Sequence, residues 1–345
     1  MASSVAILMP GYPDAVGGVA DHTDRLLESW SSIGYSVSVL GNITNHPKSV
    51  AHELARGDIG SILIEYVPFL YARHGLSRFP ARLVANARSL GIRTTLFVHE
   101  PWVPPTRLPW LVLSPLQKRQ LLRLARMCDA VVTPVPTWQR ALRVPVSIVY
   151  SGSNLGRPGD RALDGSKSSC PVVFSPFAAG LSWSWISTAT AKLRTTPPLT
   201  VLGASANQFR EHPVTGQWYS PEWDYRGWLP PEEILGALAR ARLVLAPFVD
   251  GVTGRRTSIL AALSVGARIV SSTGHLYDDF FGDGPIEVVE TEQQFAEAAQ
   301  RIWNTPDASG EQGRRVQWYR ENLDYQILDE RLLAIVTGKA QAQAT

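Results

Sequence analysis

Short apolar runs alternate with amphipathic segments along most of this chain. Residues 5–9 (Val-Ala-Ile-Leu-Met) form a continuous apolar run, which is typical of a parallel strand buried on both faces. In the next segment apolar side chains recur at helical spacing as far as Ile33, and Gly34 follows. This pattern predicts an amphipathic helix that a glycine ends.

The same alternation predicts two series of elements separated by a polar segment. In the first series, strands are predicted at 36–40, 61–65, 94–98, 130–133 and 146–149, with helices near 80–90 and 115–127. In the second, strands are predicted at 172–175, 199–202, 243–245 and 268–271, with helices near 231–240, 258–265, 291–303 and 325–336. Residues 151–169 are rich in Gly, Pro and Ser, which indicates a domain boundary.

We therefore predict an α/β protein of two Rossmann-like domains that face each other across a ligand cleft. The predicted parts are an N-terminal domain at 1–150, a linker at 151–170, a C-terminal domain at 171–324, and a C-terminal helix and tail at 325–345. Ligands of parallel sheets bind beyond the carboxyl ends of the strands. This rule selects the loops 10–18, 66–74, 99–106 and 250–258.

Composition narrows the class of protein. A chain of 345 residues is too long for one compact core. The net charge of +3 without a long Lys/Arg run does not indicate nucleic-acid binding. Cys128 and Cys170 lie far apart, which favours reduced thiols in the cytoplasm. The N-terminus lacks a basic region, and the apolar stretch 108–116 is short and interrupted by proline, so we expect no signal peptide and no membrane span.

The predicted helix at 115–127 is basic. It carries Lys118, Arg119, Arg123 and Arg126. Such a helix either presents a solvated face or contacts an anionic membrane surface, here the inner face of the membrane.

The loop 250–258 has the features of an anion site. A strand runs into Pro247, and the loop then brings Arg255 and Arg256 to the predicted N-terminus of a helix. Paired guanidinium donors and free helix N–H groups both favour phosphate oxygens. The alternative is an ordinary turn in which Ser258 is the N-cap.

Two loops of the first domain also carry candidate chemistry. Gly17 and Gly18 precede the first helix, where they form either an anion-binding loop or a flexible turn. The absence of G-x-G-x-x-G, and of an acidic residue after the second strand, disfavours a nicotinamide dinucleotide. His99 and Glu100 directly follow a strand. Either the His99 imidazole serves as an acid, a base or a partner of a sugar hydroxyl, or these residues are a polar strand end that turns at Pro101.

Aromatic residues mark further candidates. The segment from Tyr66 to Gly75 either lines an acceptor pocket or forms a packed Ω-loop. Trp228 either stacks on a nucleobase or packs in the core, and Trp102 lies in a loop-like context.

Together, these segments resemble GT-B-fold glycosyltransferases, especially the nucleotide-sugar group that includes glycosyltransferase family 4. Residues 17–21 are similar to the glycine loop of that group, and 99–101 to the His-Glu-Pro of mannosyltransferases that act on membrane acceptors. The resemblance covers most of the chain and is strongest at 225–274, which is similar to the helix and flanking strands of the family signature.

Three departures from the family pattern concern the donor site. Asp250 stands where the family has the first Glu of Glu-Gly-Phe-Gly, and Ala261 where a second Glu binds ribose. The segment from Ser175 replaces the usual Arg and Lys after the first C-domain strand. We infer that Arg255 and Arg256 supply the positive charge for the diphosphate instead.

The resemblance implies transfer of a sugar from a nucleotide-diphosphate sugar, bound by residues 171–324, to an acceptor hydroxyl, bound by residues 1–150. No metal-ligand cluster or Asp-x-Asp is apparent in the sequence, so we expect a transfer without a metal or other cofactor. From the residues themselves and from the resemblance, we expect four roles. They are catalysis by Asp21 and His99, diphosphate binding by Arg255, Arg256, Thr257, Ser258 and Gly18, nucleoside or sugar contact by Trp228, Gly203 and Asp250, and acceptor contact by Tyr66, Glu100 and Trp102. Transfer with inversion at the sugar carbon would need a base, for which Asp21 is the first candidate and His99 the second. Transfer with retention would need no strong base, and His99 would then position the sugar. A nucleotide-sugar epimerase of the same fold and a non-catalytic partner subunit remain alternatives.

Overall fold

The computed structural model describes residues 4–15, 17–41, 50, 54, 58–106, 108–156, 170–175, 177 and 180–339. The chain divides into two compact units, Met1–Ser151 with Tyr325–Thr345, and Gly152–Asp324. Each unit holds a parallel sheet of six strands. The predicted α/β class with two parallel sheets is confirmed, whereas most of the predicted linker and the last residues of the tail lie outside the described part.

The sheet of unit 1 has the strand order β2-β1-β3-β4-β5-β6. Its strands are β1 (Ser4–Leu8), β2 (Ser36–Leu40), β3 (Ile59–Tyr66), β4 (Arg93–Val98), β5 (Ala130–Thr133) and β6 (Ser147–Ile148). The central strands are apolar and buried on both faces, as a parallel sheet covered by helices requires. Because every pairing is parallel, the carboxyl ends of these strands lie at one edge of the sheet.

The helices that follow these strands cover the sheet of unit 1. They are α1 (Gly18–Ser32), α2 (Phe79–Ser89), α3 (Leu108–Met127) and α4 (Thr137–Leu142). On α1, Leu26 and Trp30 are fully buried, and Gly34 takes a φ of +90° just beyond the end of the helix.

Unit 2 repeats this architecture with shorter strands. The order β12-β11-β10-β7-β8-β9 joins β7 (Val172–Phe174), β8 (Thr200–Leu202), β9 (Asp224–Tyr225), β10 (Val244–Ala246), β11 (Ile269–Ser272) and β12 (Ile286–Val289). Its helices are α5 (Trp183–Leu193), α6 (Ala206–Glu211), α7 (Pro231–Arg240), α8 (Thr257–Ser264), α9 (Asp279–Gly282), α10 (Glu292–Asn304) and α11 (Glu311–Asn322). Thr291 begins α10 with a capping box to Gln294, as the Thr-x-x-Gln spacing favours.

The last helix, α12 (Tyr325–Val336), belongs to unit 1. Leu332 and Leu333 join the core of that unit, together with Trp30 of α1. The carboxylate of Asp329 pairs with Arg25 at 3.2 Å, and its backbone carbonyl accepts a hydrogen bond from the Trp30 indole at 3.1 Å. The chain therefore returns from unit 2 to complete the core of unit 1.

Several helices differ from the sequence-based prediction. The helices α4, α5, α6, α9 and α11 were not predicted. Helix α3 begins at Leu108, seven residues before the start that was predicted at Pro115, and continues through this proline. None of the described helices combines the length and the apolar composition needed to cross a bilayer.

Candidate functional site

A carboxylate bridges the two candidate arginines after β10. The Arg255 guanidinium contacts one oxygen of Asp250 at 2.5 Å, and the Arg256 guanidinium contacts the other. The two guanidinium groups carry two positive charges and the Asp250 carboxylate one negative charge, so these three side chains together have a net charge of about +1. The Arg255 side chain is 20% exposed and that of Arg256 8%, so Arg255 is the more accessible of the two.

Three loops at the carboxyl edge of the unit 2 sheet hold this group in place. The amide of Leu276, after β11, donates to the Asp250 carbonyl at 2.8 Å. The amide of Val249 donates to the carbonyl of Gly180, in the loop after β7, at 2.7 Å. The Arg256 guanidinium lies 4.2 Å from the centre of the Phe248 ring, a cation–π contact that stabilises a largely buried charge.

Helix α8 begins directly after these arginines. Arg256 occupies the N-cap position without a side-chain capping bond, and Thr257 is the first helical residue. The alternative with Ser258 as the N-cap is therefore wrong. The positive end of the helix dipole adds to the net charge of the arginines, so the place favours an anion.

Gly203 and Trp228 lie in two neighbouring loops that the backbone joins. The amide of Gly203, after β8, donates to the Gly227 carbonyl at 2.8 Å, and the amide of Gly227 donates to Ala204 at 3.0 Å. The Trp228 side chain is exposed (73%), so the core-packing alternative is wrong for this residue. An exposed indole beside a fixed turn suits a planar ligand, and base stacking stays a prediction.

A buried carboxylate joins two histidines at the carboxyl edge of the unit 1 sheet. Glu65, near the end of β3, accepts from His22 Nδ1 on α1 at 3.1 Å and from His99 Nε2, directly after β4. Glu65 and His22 are fully buried, whereas the His99 side chain is 11% exposed. The histidine rings meet edge to face, with their centres 5.1 Å apart.

The environment sets the charges within this cluster. Burial raises the pKa of Glu65, but the charges and hydrogen bonds of His22 and His99 outweigh it and hold the pKa at about 2. Burial lowers the pKa of His22 more than Glu65 raises it. At neutral pH, Glu65 is thus ionised and can only accept hydrogen bonds, so both histidines donate to it, and His22 is neutral.

The other predicted unit 1 residues lie in different surroundings. Asp21 and Gly18 are exposed in the first turn of α1, and Glu100 is exposed next to His99. Trp102 is half-buried, with the Lys118 ammonium 5.0 Å from its ring centre. Tyr66 is fully buried and stacks on Tyr71. Its place in the core corrects the prediction that it lines an accessible acceptor pocket.

Glu65 and His22 carry no role in the sequence analysis, although the structure places them at the centre of this cluster. Ligand atoms of His22, Glu65 and His99 all lie within 4.8 Å of one another, a set that can hold a metal ion. No metal-ligand spacing in the sequence pointed to these three residues, and the expectation of a reaction without a metal ion stays a prediction. One signal was available in the sequence, because Glu65 is a charged residue within the apolar run of β3.

No family model and no curated protein sequence matches this chain. Solved structures do match it. AviGT4, a glycosyltransferase involved in avilamycin A biosynthesis, is 16% identical, with 96% of each chain covered and a TM-score of 0.60. The lipopolysaccharide outer core galactosyltransferase WaaB is 10% identical, with 97% of this chain and 99% of that chain covered and a TM-score of 0.63.

A third match is a putative UDP-N-acetylglucosamine 2-epimerase from Listeria monocytogenes, at 10% identity and a TM-score of 0.54, with 100% of this chain and 98% of that chain covered. At these identities the likeness concerns the fold. The predicted GT-B fold class is confirmed.

Proposed function

We propose that this protein is a glycosyltransferase that moves a sugar from a nucleotide-diphosphate sugar to an acceptor hydroxyl, and that it is related to glycosyltransferase family 4. The observation that carries the proposal is the Asp250–Arg255–Arg256 group at the N-terminus of α8. It joins fixed positive charge to a helix dipole at the sheet edge where α/β folds bind ligands. The fold shared with AviGT4 and WaaB supports the same proposal.

On the donor side, the arginines would stabilise the diphosphate as it leaves the sugar. Negative charge develops on the leaving group, and donors fixed in advance by Asp250 need little reorganisation to meet it. Thr257 and Ser258 would add donors to phosphate oxygens, and Trp228 with Gly203 would contact the nucleoside. Because Asp250 already bridges both arginines, we propose that its role is to position them rather than to contact the sugar.

On the acceptor side, Glu65 would set the tautomer of His99. When neutral His99 donates its Nε2–H to Glu65, Nδ1 is left as an acceptor for a sugar or acceptor hydroxyl. His99 and Asp21 would act in the chemical step, with Glu100 and Trp102 near the acceptor. Replacing His99 with alanine should lower kcat by about 10²–10⁴-fold while donor affinity stays nearly unchanged. Full turnover by both His99→Ala and Asp21→Asn would refute these two roles.

We also propose that the reaction needs no metal ion, since the arginines already supply positive charge to the diphosphate. Turnover should then survive exhaustive EDTA treatment. Loss of turnover on chelation, with recovery on adding back a divalent ion, would instead direct attention to the His22–Glu65–His99 cluster.

The donor site is tested by titration calorimetry with UDP, GDP and ADP. Arg255→Ala and Arg256→Ala should each weaken binding of the preferred nucleotide by about 1.5–3 kcal/mol, the range for charge-assisted hydrogen bonds. Arg314→Ala is the matched control, because Arg314 also pairs with a carboxylate in unit 2 but lies on the exposed face of α11. Unchanged affinity in both site variants would refute the diphosphate site.

Turnover separates the three candidate functions. A transferase releases nucleoside diphosphate only with an acceptor, an epimerase of the kind named for the Listeria structure converts the sugar nucleotide without one, and a partner subunit does neither. Ala261 on α8, where the family has its ribose-binding Glu, is the residue that keeps the partner-subunit alternative open.

A further inference from the structure

One face of α3 is apolar in its first half and cationic in its second. Leu108, Leu111, Val112 and Leu116 are exposed to 81%, 51%, 64% and 45%. Arg119, Arg123 and Arg126 follow and are exposed as well. At about 100° per residue these seven positions fall within one arc of the helix, so they share a face.

The opposite face of α3 anchors the helix to unit 1. Leu121, Leu124 and Ala125 are buried in the core of the unit. Gln117 is also buried; its side chain accepts from the Val103 amide at 2.9 Å and donates to the His74 carbonyl at 3.0 Å. The helix is therefore firmly packed on unit 1, and its other face points to solvent.

From this face we infer that α3 docks unit 1 on an anionic phospholipid surface. Four large apolar side chains on one helix face form a concentrated exposed patch on this chain, and such patches mark interaction surfaces. The segment 108–127 contains four cationic residues and no acidic residue, which gives it a charge complementary to lipid phosphates.

The arrangement fits a bilayer interface better than a protein groove. With α3 parallel to the surface, the leucines and the valine reach the acyl boundary while the arginines on the same face meet the headgroups. The long arginine side chains extend along apolar surface and keep their charged ends at the phosphates. The inference is independent of the proposed reaction, because no residue of this face has a role in it.

Co-sedimentation with vesicles tests the inference. The protein should bind vesicles of equal parts phosphatidylglycerol and phosphatidylcholine, and bind pure phosphatidylcholine far more weakly. Each Arg→Gln change at 119, 123 or 126 should lower the partition coefficient about fivefold, and the triple variant should lower it about 100-fold. The reason is that each arginine near an anionic surface contributes a roughly equal and additive share of the binding free energy, which corresponds to about a fivefold change. Raising the salt concentration should weaken binding in the same way.

The apolar half has its own variant and control. Leu111→Ser with Val112→Ser should lower partitioning by about tenfold or more, since two side chains no longer enter the acyl boundary. Val214→Ser, at an exposed valine (56%) of unit 2, should change nothing. Thermal melting of every variant checks the fold, and folding is expected to be retained because all substituted positions are exposed.

Three outcomes would overturn the inference. The first is that wild-type protein does not bind the anionic vesicles. The second is that the triple arginine variant binds them as well as wild type. The third is a concentration-dependent dimer in light scattering that Leu111→Ser with Val112→Ser abolishes, which would assign the face to a second copy of the chain.

Discussion

At the scale of single residues, the candidate donor site depends on one carboxylate. Asp250 fixes both guanidinium groups, and Arg256 is buried (7% exposed), so this charge is stabilised by its partner and by the Phe248 ring. A buried charge whose partner is removed is strongly destabilising. Asp250 therefore has two opposing effects on an anionic ligand: it positions the arginines, and its own charge repels the anion.

Replacing Asp250 with asparagine decides between these effects. We expect Asp250→Asn to weaken binding of inorganic pyrophosphate by about tenfold, the lower end of the loss for one charge-assisted hydrogen bond. Pyrophosphate is the appropriate probe in titration calorimetry because it needs no knowledge of the base. Tighter binding by the variant would mean that repulsion dominates. Absence of pyrophosphate and nucleotide binding in the wild type would instead refute the proposed donor site.

The buried cluster of unit 1 predicts a pH dependence of stability. The pKa of His22 lies below its ordinary value of 6.5 in the folded protein, so below pH 6.5 the unfolded chain binds a proton that the folded protein does not. Stability therefore decreases as the pH falls through this window. Glu65, whose pKa is lowered from 4.5 to about 2, adds a loss in the same direction only at more acidic pH.

The change His22→Asn isolates the histidine, because an amide N–H can still donate to Glu65. Between pH 7.5 and 5.5 the melting temperature of unit 1 should fall about 2–4 °C further in wild type than in the variant, which corresponds to about 1 kcal/mol. Differential scanning calorimetry at both pH values gives the comparison. Equal decreases in the two proteins would show that His22 does not titrate as its burial requires.

At the scale of elements, the loops that follow neighbouring strands determine the donor site together. A Cβ on Gly274, in the loop after β11, would overlap the backbone of Asp250 and meet the amide of Gly251. These two loops therefore approach as closely as they do because position 274 has no side chain. The position of the arginines depends on a glycine outside their own loop.

Gly274→Ala should consequently displace the Asp250 loop. We expect a loss of stability of about 1–3 kcal/mol, as for overpacking, together with weaker pyrophosphate binding. The control is Gly313→Ala on α11, where an added Cβ meets no atom within 4 Å and a helix favours alanine over glycine. Chemical denaturation and calorimetry measure the two effects, and wild-type pyrophosphate affinity in Gly274→Ala would contradict the proposed coupling.

At the scale of the whole molecule, the chain leaves unit 1 after Ser151 and returns at Tyr325. The core of unit 1 is complete only when α12 packs against α1 and the sheet. Residues 304 apart in sequence, Arg25 and Asp329, form a buried ion pair at this contact. We therefore expect a fragment cut at the predicted boundary near residue 150 to lack part of the core of unit 1.

Truncating one buried side chain of α12 tests this dependence. Leu332→Ala should destabilise unit 1 by about 2–5 kcal/mol, the usual cost of such a cavity. Ile327→Ala on the same helix is the control, since Ile327 is 46% exposed and should change stability by less than about 0.5 kcal/mol. Hydrogen exchange should show faster opening in β1, β3 and α1, and equal acceleration in unit 2 would contradict the assignment of α12 to unit 1.

Elements whose periodicity reports burial within a short window could be predicted from the sequence alone. The strands β2 and β5 and the helices α7 and α12 have the predicted bounds, and the α/β class follows from their order. The sequence also located the Arg255–Arg256 loop before a helix, because a glycine- and arginine-rich turn is a local signal. Helix α11 was missed because most of its length shows no clear apolar stripe. Helix α5 does have apolar side chains at helical spacing, Trp183, Ile186, Ala189 and Leu193, a signal that was not used in the prediction.

Which side chains contact one another depends on the tertiary structure. His22 and Glu65 are 43 residues apart, and Glu65 and His99 are 34 apart, so their contact depends on the strand order that places β3 between β1 and β4. Likewise, the exposure of the apolar half of α3 follows from the face that packs on unit 1 and not from its composition. Local periodicity reports whether a side chain is buried, whereas the packing of elements distant in sequence determines its neighbours.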